Sequence, residues 1–196
     1  MKQIFDRDYP VTSILLIITT IIFILMFASY GFQYEGLEDL YQFGAVHGYT
    51  IQADPSQFWR VFSAMFIHIG LEHFVVNMLT LYFLGRQIEA IFGSWKFLLY
   101  LMSGVMGNVF VIYFSPDTLA AGASTSLFGL FSSVIVLRYT TRNYYIQQLG
   151  QSYMSLLAVN LIMSFLPGIS LAGHLGGLVG GALGVAILPV SGERYA

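Results

Sequence analysis

Three short stretches hold the residues that could do chemistry: HIGLEHFVVN (His68 to Asn77), GASTS (Gly122 to Ser126) and AGHLGGLVGG (Ala172 to Gly181). A serine hydroxyl such as that of Ser124 attacks a carbonyl only when a neighbouring base takes its proton. A neutral imidazole, here His174, is such a base. The attack creates an oxyanion, which needs hydrogen-bond donors. His73 and Asn77 are four residues apart, so they share one helical face, and both can donate. No Asp or Glu lies inside the segments that carry Ser124 and His174. The pattern therefore predicts a Ser124–His174 dyad without a carboxylate, with His73, Asn77 and the Ser124 amide as oxyanion donors.

Each residue also has a plainer reading. Ser124 could cap a helix N-terminus, and His174 or Asn77 could simply bond one helix to another. A metal is not expected. His68, Glu72 and His73 form H-x-x-x-E-H, one residue longer than H-x-x-E-H and unlike H-E-x-x-H. His68 is expected to pack or hydrogen-bond within its own loop, and His47 to have no role. With no cysteine, thiol nucleophiles, disulfides and Cys-ligated zinc are excluded.

The elements that must position these groups are apolar. The 196 residues are 57% hydrophobic and only 9% charged, far below the quarter or so that soluble domains carry. A net charge of −2 gives no handle for nucleic acid. Charge-poor runs near 20 residues read as membrane-spanning helices, over about 10–31, 71–91, 95–114, 124–140, 150–167 and 171–190. The first run is too long for a cleavable signal and lacks a small-x-small site after it. The expected fold is thus an all-α membrane protein: one domain over 1–196, six transmembrane helices, both termini cytoplasmic and the lipid bilayer as its partner.

Orientation follows from the cations. Lys2, Arg7, Arg86, Lys96, Arg138, Arg142 and Arg194 fall on one side and Arg60 alone on the other, so the first side reads as cytoplasmic. Trp95 reads as an inner anchor and Trp59 as an outer one. Residues 32–70 are too apolar for a solvated loop and too short to span, which fits an element lying partly in the outer leaflet.

This topology starts the second, fourth and sixth spans at the outer end, so His73, Asn77, Ser124 and His174 fall within one or two turns in depth. Glycine rows at spacing four, Gly173, Gly177, Gly181 and Gly176, Gly180, Gly184, allow close helix approach. Gly177, one turn below His174, would let the fourth span come near, with Gly122 and Gly129 as its small residues. Phe128, one turn after Ser124, would lie against the imidazole. Ser126 is expected to help water reach Ser124.

These stretches, together with Trp59-Arg60, resemble the rhomboid intramembrane serine proteases, in order and over most of the chain. The resemblance implies Ser124 as nucleophile, His174 as base, and His73 and Asn77 at the oxyanion. It further implies a membrane-embedded outer loop at 32–70, which Arg60, as the lone outer cation, is expected to tie down by bonding backbone carbonyls, and a lateral gate and cap formed by span five and residues 167–170. It implies hydrolysis of peptide bonds in transmembrane protein substrates near the outer face, without cofactor or metal. Two positions depart from the family pattern: Thr125 stands where Gly usually follows the serine, and Phe128 where bacterial members often have Tyr. A non-catalytic relative that binds transmembrane clients is the alternative. A transporter is disfavoured, since no acidic residue lies mid-span and no inverted repeat is visible.

Overall fold

A computed structural model describes residues 6–31 and 37–188. Lys2, Arg194 and the last residues of the sixth expected span, 189 and 190, lie outside the described residues. The long helices are α1 (Pro10–Tyr30), α5 (Gly70–Phe92), α6 (Lys96–Phe114), α7 (Ser124–Thr140), α8 (Tyr144–Met163) and α9 (Leu171–Ile187). Between α1 and α5 the chain forms α2 (Leu37–Phe43), strand β1 (Val46–His47), α3 (Gly48–Ala53) and α4 (Arg60–Ser63), with short 3-10 turns at Pro55–Trp59 and Ala64–Phe66.

Of these helices, α1 and α6 are each long and apolar enough to cross a membrane, with mean hydropathies of 2.7 and 1.8. The segment Pro55–Phe66 and α5 meet the same test together, bent by 76° at the break between them. Charges at Glu72, Arg86 and Glu89 dilute α5 itself. Helix α9 is apolar but has 17 residues. Helix α8 starts six residues before the expected span, because Asn143 caps it by accepting from the Ile146 N–H (3.1 Å).

The core lies between α5, α6, α7 and the first half of α8, around Leu81, Ile88, Leu99, Tyr100, Leu130 and Val134. Helix α9 wedges between α6 and α7 on its glycines. A Cβ added at Gly180 would stand 2.8 Å from the Ser103 Cα of α6. One added at Gly177 would stand 3.0 Å from the Thr125 carbonyl carbon of α7 and nearer still to its oxygen, and one at Gly181 would run into the Gly129 carbonyl. Helix α1 is pinned from the other side. Glu89 accepts from the Val11 N–H (2.7 Å), the Thr12 N–H (2.8 Å) and the Thr12 hydroxyl (2.6 Å), a carboxylate placed at a helix N-terminus. Lys96 is fully buried and donates to the Thr12 hydroxyl (2.6 Å) with Glu89 4.0 Å away. It is therefore a buried structural residue, a setting that its place in the charge count does not reveal.

Residues 32–36 of the expected outer segment also lie outside the described residues; from Leu37 on, the segment between α1 and α5 is a folded unit, called the outer unit after that expectation. Arg60, 5% exposed, donates to the Tyr41 carbonyl (2.5 Å), the Ala45 carbonyl (3.3 Å) and the Gln57 amide oxygen (3.0 Å). Its guanidinium also lies over the Tyr41 and Trp59 rings, at 4.0 and 4.7 Å. Asn108 of α6 donates to the Val61 carbonyl (2.8 Å) and ties the unit to the bundle. Strand β1 pairs antiparallel with β2 (Leu119–Ala120), placing Val46 opposite Ala120 and His47 opposite Leu119. This two-residue ladder is the one departure from all-helical structure among the described residues.

Candidate active site

The outer unit dictates how the chain enters α7. After β2, the Gly122 N–H donates to the Ala64 carbonyl (2.9 Å) and the Ala123 N–H to His68 Nε2 (3.3 Å). Gly122 takes φ +141°, a conformation L side chains rarely adopt. A Cβ there would also meet His73 Cε1 at 2.7 Å, His73 Nε2 at 3.0 Å and Ser124 Oγ at 3.4 Å. Gly122 is therefore the gap through which the His73 ring approaches Ser124.

Ala123 occupies the N-cap and makes no side-chain cap. Ser124 is the first helical residue, so its hydroxyl is not spent on capping. It meets His174 Nε2 at 2.9 Å. His174 lies on the first turn of α9, which Ser170 caps by accepting from the Gly173 N–H (3.1 Å). The imidazole is 7% exposed and stacks on Phe128, with centroids 4.0 Å apart and planes at 10°. Its other nitrogen, Nδ1, is 2.6 Å from Ser164 Oγ at the end of α8. Nothing in the sequence pattern marks Ser164, since a serine ending a helix is commonplace.

His73 Nδ1 accepts from the Ile69 N–H at 3.4 Å, which leaves the ring proton on Nε2, the atom facing Gly122 and Ser124. Asn77 donates from Nδ2 to the His73 carbonyl one turn back (2.8 Å) and is 4% exposed. One of its two amide protons is thus committed to the helix and the other is left. The Ser124 N–H lies at the open start of α7, where amides lack intrahelical partners. A cleft of about 540 Å³ exposes His73, Asn77, Ser124, Phe128, Ser164 and His174 together, with apolar walls that include Val76, Phe131 and Met163.

Several residues lie elsewhere. Trp59 and Arg60 hold the outer unit and do not line the cleft. Ser126, expected near the water path, is fully buried beside Gly104 and Tyr100 of α6. His47 pairs with the Thr50 hydroxyl (2.9 Å). His68 reaches out of its loop to the turn before Ser124, and burial, with His73 beside it, pushes its imidazole from 6.5 down to about 3. Thr125 is buried with its side chain against Gly107 and Gly173: a Cβ at Gly107 would meet Thr125 Cβ at 2.7 Å. The β-branch that replaces glycine after the serine is thus housed by glycines on α6 and α9. Among the described residues, no three His, Cys, Asp or Glu side chains are grouped to hold a metal ion.

Comparison with known proteins places the chain in a family. The chain is 33% identical to Rhomboid protease GluP of Bacillus subtilis over 153 residues, 77% of this chain and 30% of that protein. It is 31% identical to YdcA of the same organism, covering 92% of this chain and 89% of YdcA. It is also 27% identical to the Inactive RHOMBOID-like protein 8 of Arabidopsis thaliana, over 63% of this chain and 36% of that protein. Against GluP and the plant relatives the chain spans only 30% to 46% of their length. The Rhomboid domain model matches residues 55–190, most of the chain, and with these relatives it makes the protein a member of the rhomboid family.

Proposed function

We propose that this rhomboid is an intramembrane serine endopeptidase in which Ser124 is the nucleophile and His174 the base. The observation that carries the reading is the 2.9 Å contact between Ser124 Oγ and His174 Nε2 at the wall of a cleft. The hydroxyl proton passes to Nε2 as Oγ bonds to the scissile carbonyl carbon. The oxyanion formed is met by the Ser124 N–H, His73 Nε2–H and the free Asn77 amide proton. The C–N bond then breaks, and His174 returns its proton to the leaving amine. Water repeats the sequence on the acyl-enzyme, with His174 again as base. No cofactor or metal enters.

The remaining features follow the same reading: a single domain over 1–196, six spans with both termini cytoplasmic in the cell membrane, and residues 32–70 seated in the outer leaflet. Phe128 holds the plane of the imidazole, Gly122 admits His73, Gly177 and Gly181 bring α9 against α7, and Trp59 and Arg60 fix the outer unit. Substrates are transmembrane segments of other proteins, cut near the outer face. A helical substrate hides its peptide bonds, so helix-breaking residues near the cut and a small residue before it are favoured.

The test is cleavage of a model transmembrane substrate by the purified protein in liposomes. Ser124→Ala and His174→Ala should each lose at least about 1,000-fold in rate, and a fluorophosphonate should label Ser124. Cleavage retained by Ser124→Ala removes the mechanism. A wild-type protein that binds the substrate intact, unlabelled and uncut, establishes the non-catalytic alternative, the condition that the name of one relative states.

A further inference from the structure

The reading above leaves the third corner of the site open: an imidazole works as a base toward Ser124 only in the tautomer whose lone pair is on Nε2. In serine hydrolases a buried carboxylate usually enforces this, and here, among the described residues, α8 and α9 carry no Asp or Glu and Glu72, which lines the cleft, is not hydrogen-bonded to His174. The Phe128 stack fixes the ring plane but is indifferent to which nitrogen carries the proton.

We infer that Ser164 is the positioning residue for His174. Its side chain is 2% exposed, and it sits at the C-cap of α8 in helical conformation. Its Oγ lies 2.8 Å from the Asn160 carbonyl one turn back, an oxygen that can only accept, and we assign the hydroxyl proton to that bond. A hydroxyl has one proton to donate, so toward His174 Nδ1, 2.6 Å away, Ser164 Oγ can only accept. Nδ1 must therefore carry the ring proton, and Nε2 presents its lone pair to the Ser124 hydroxyl. The hydrogen bonds run in one direction, from Ser124 through His174 and Ser164 to the Asn160 carbonyl. The same bond stays satisfied when the imidazole becomes an imidazolium, because Nδ1–H is present in both forms. A neutral hydroxyl does this without placing a second charge in an apolar wall. The sequence gives Ser164 no distinguishing context, ten residues before His174 and at the end of another helix.

This inference rests on His174 being the base, so Ser124→Ala and His174→Ala are assayed beside it. Ser164→Ala should lower kcat about tenfold or more, the worth of one well-formed hydrogen bond, with KM unchanged. Ser164→Thr, which keeps the hydroxyl, should restore kcat. The 15N spectrum of His174 should show protonated Nδ1 in wild type and Ser164→Thr, and a tautomer mixture in Ser164→Ala. Wild-type kcat in Ser164→Ala, or protonated Nδ1 unchanged there, overturns the role of Ser164 while leaving the dyad standing. A kcat loss that threonine does not repair overturns it too. Activity surviving in Ser124→Ala or His174→Ala instead overturns the Ser124–His174 dyad on which this inference rests.

Discussion

Gly177→Ala isolates the physical premise of the site, that α7 and α9 are close enough for Ser124 and His174 to touch. Gly177 is one turn below His174 and makes no hydrogen-bonded contact with the chemistry. The added methyl would stand 3.0 Å from the Thr125 carbonyl carbon and closer to its oxygen, where carbon and oxygen ordinarily approach no nearer than about 3.3 Å. Neither partner is a flexible tip; both are helix backbone. Relief requires the helices to separate by roughly 1 Å, in line with overpacking that costs about 1–3 kcal/mol in stability. The same displacement would stretch the Ser124–His174 contact from 2.9 Å to roughly 4 Å, past hydrogen-bond range. A misplacement of about 1 Å can cost on the order of 100-fold in rate. The assay is kcat on a model transmembrane substrate, with thermal unfolding to show that the variant is folded. Val179→Ala, on the exposed side of α9, is the control and should cleave like wild type. A folded Gly177→Ala protein that keeps more than about a third of wild-type kcat would refute the argument, since the helices would then not be at their closest approach.

Two further predictions concern the framework. Glu89→Ala leaves two α1 amides and the Lys96 ammonium short of their acceptor. Breaking such a buried pair costs about 3–5 kcal/mol, a fall in melting temperature of roughly 6–20 °C, and adding Lys96→Met should recover part of it. An unchanged melting temperature in Glu89→Ala would contradict this. His68, shifted from 6.5 to about 3 by burial, gives a pH dependence. Between those values the unfolded chain takes a proton that the folded chain refuses, so this share of stability is complete above 6.5 and is lost as pH falls toward 3. Melting temperature followed from about pH 8 to about pH 4 should fall less steeply in His68→Asn than in wild type; parallel curves would rule the contribution out.

The features legible in the sequence share one property: they are set by residue type at helical spacing. Glycines four apart declare a face against which another backbone packs, and a polar group inside an apolar run must find a partner, which is why Ser124, His73, Asn77 and His174 draw attention at once. What escaped depends on the third dimension. Ser164 is an ordinary helix-ending serine until α8 folds beside α9. The Asn77 amide, expected to donate to the oxyanion or to bond one helix to another, turns one of its protons back on the His73 carbonyl, because an i−4 carbonyl is within reach of a short side chain. Lys96 counts in the sequence only as one more cytoplasmic-side cation because its partners, Thr12 and Glu89, lie on other helices. Helix α8 begins before the expected span because Asn143 caps it, outside the apolar run from which the span is read. The β1–β2 ladder is too short to have a period.

Arg60 carries one more implication. Its hydrogen bonds end on two backbone carbonyls and an amide oxygen, with aromatic faces closing the remaining sides. None of those oxygens gains or loses a proton as acidity varies, and a guanidinium buried in this way is little screened by ions. A clasp made with a carboxylate would loosen in acid and weaken in brine. This one holds through both, so the fold of residues 41–60 keeps its clasp whatever medium bathes the surface above it.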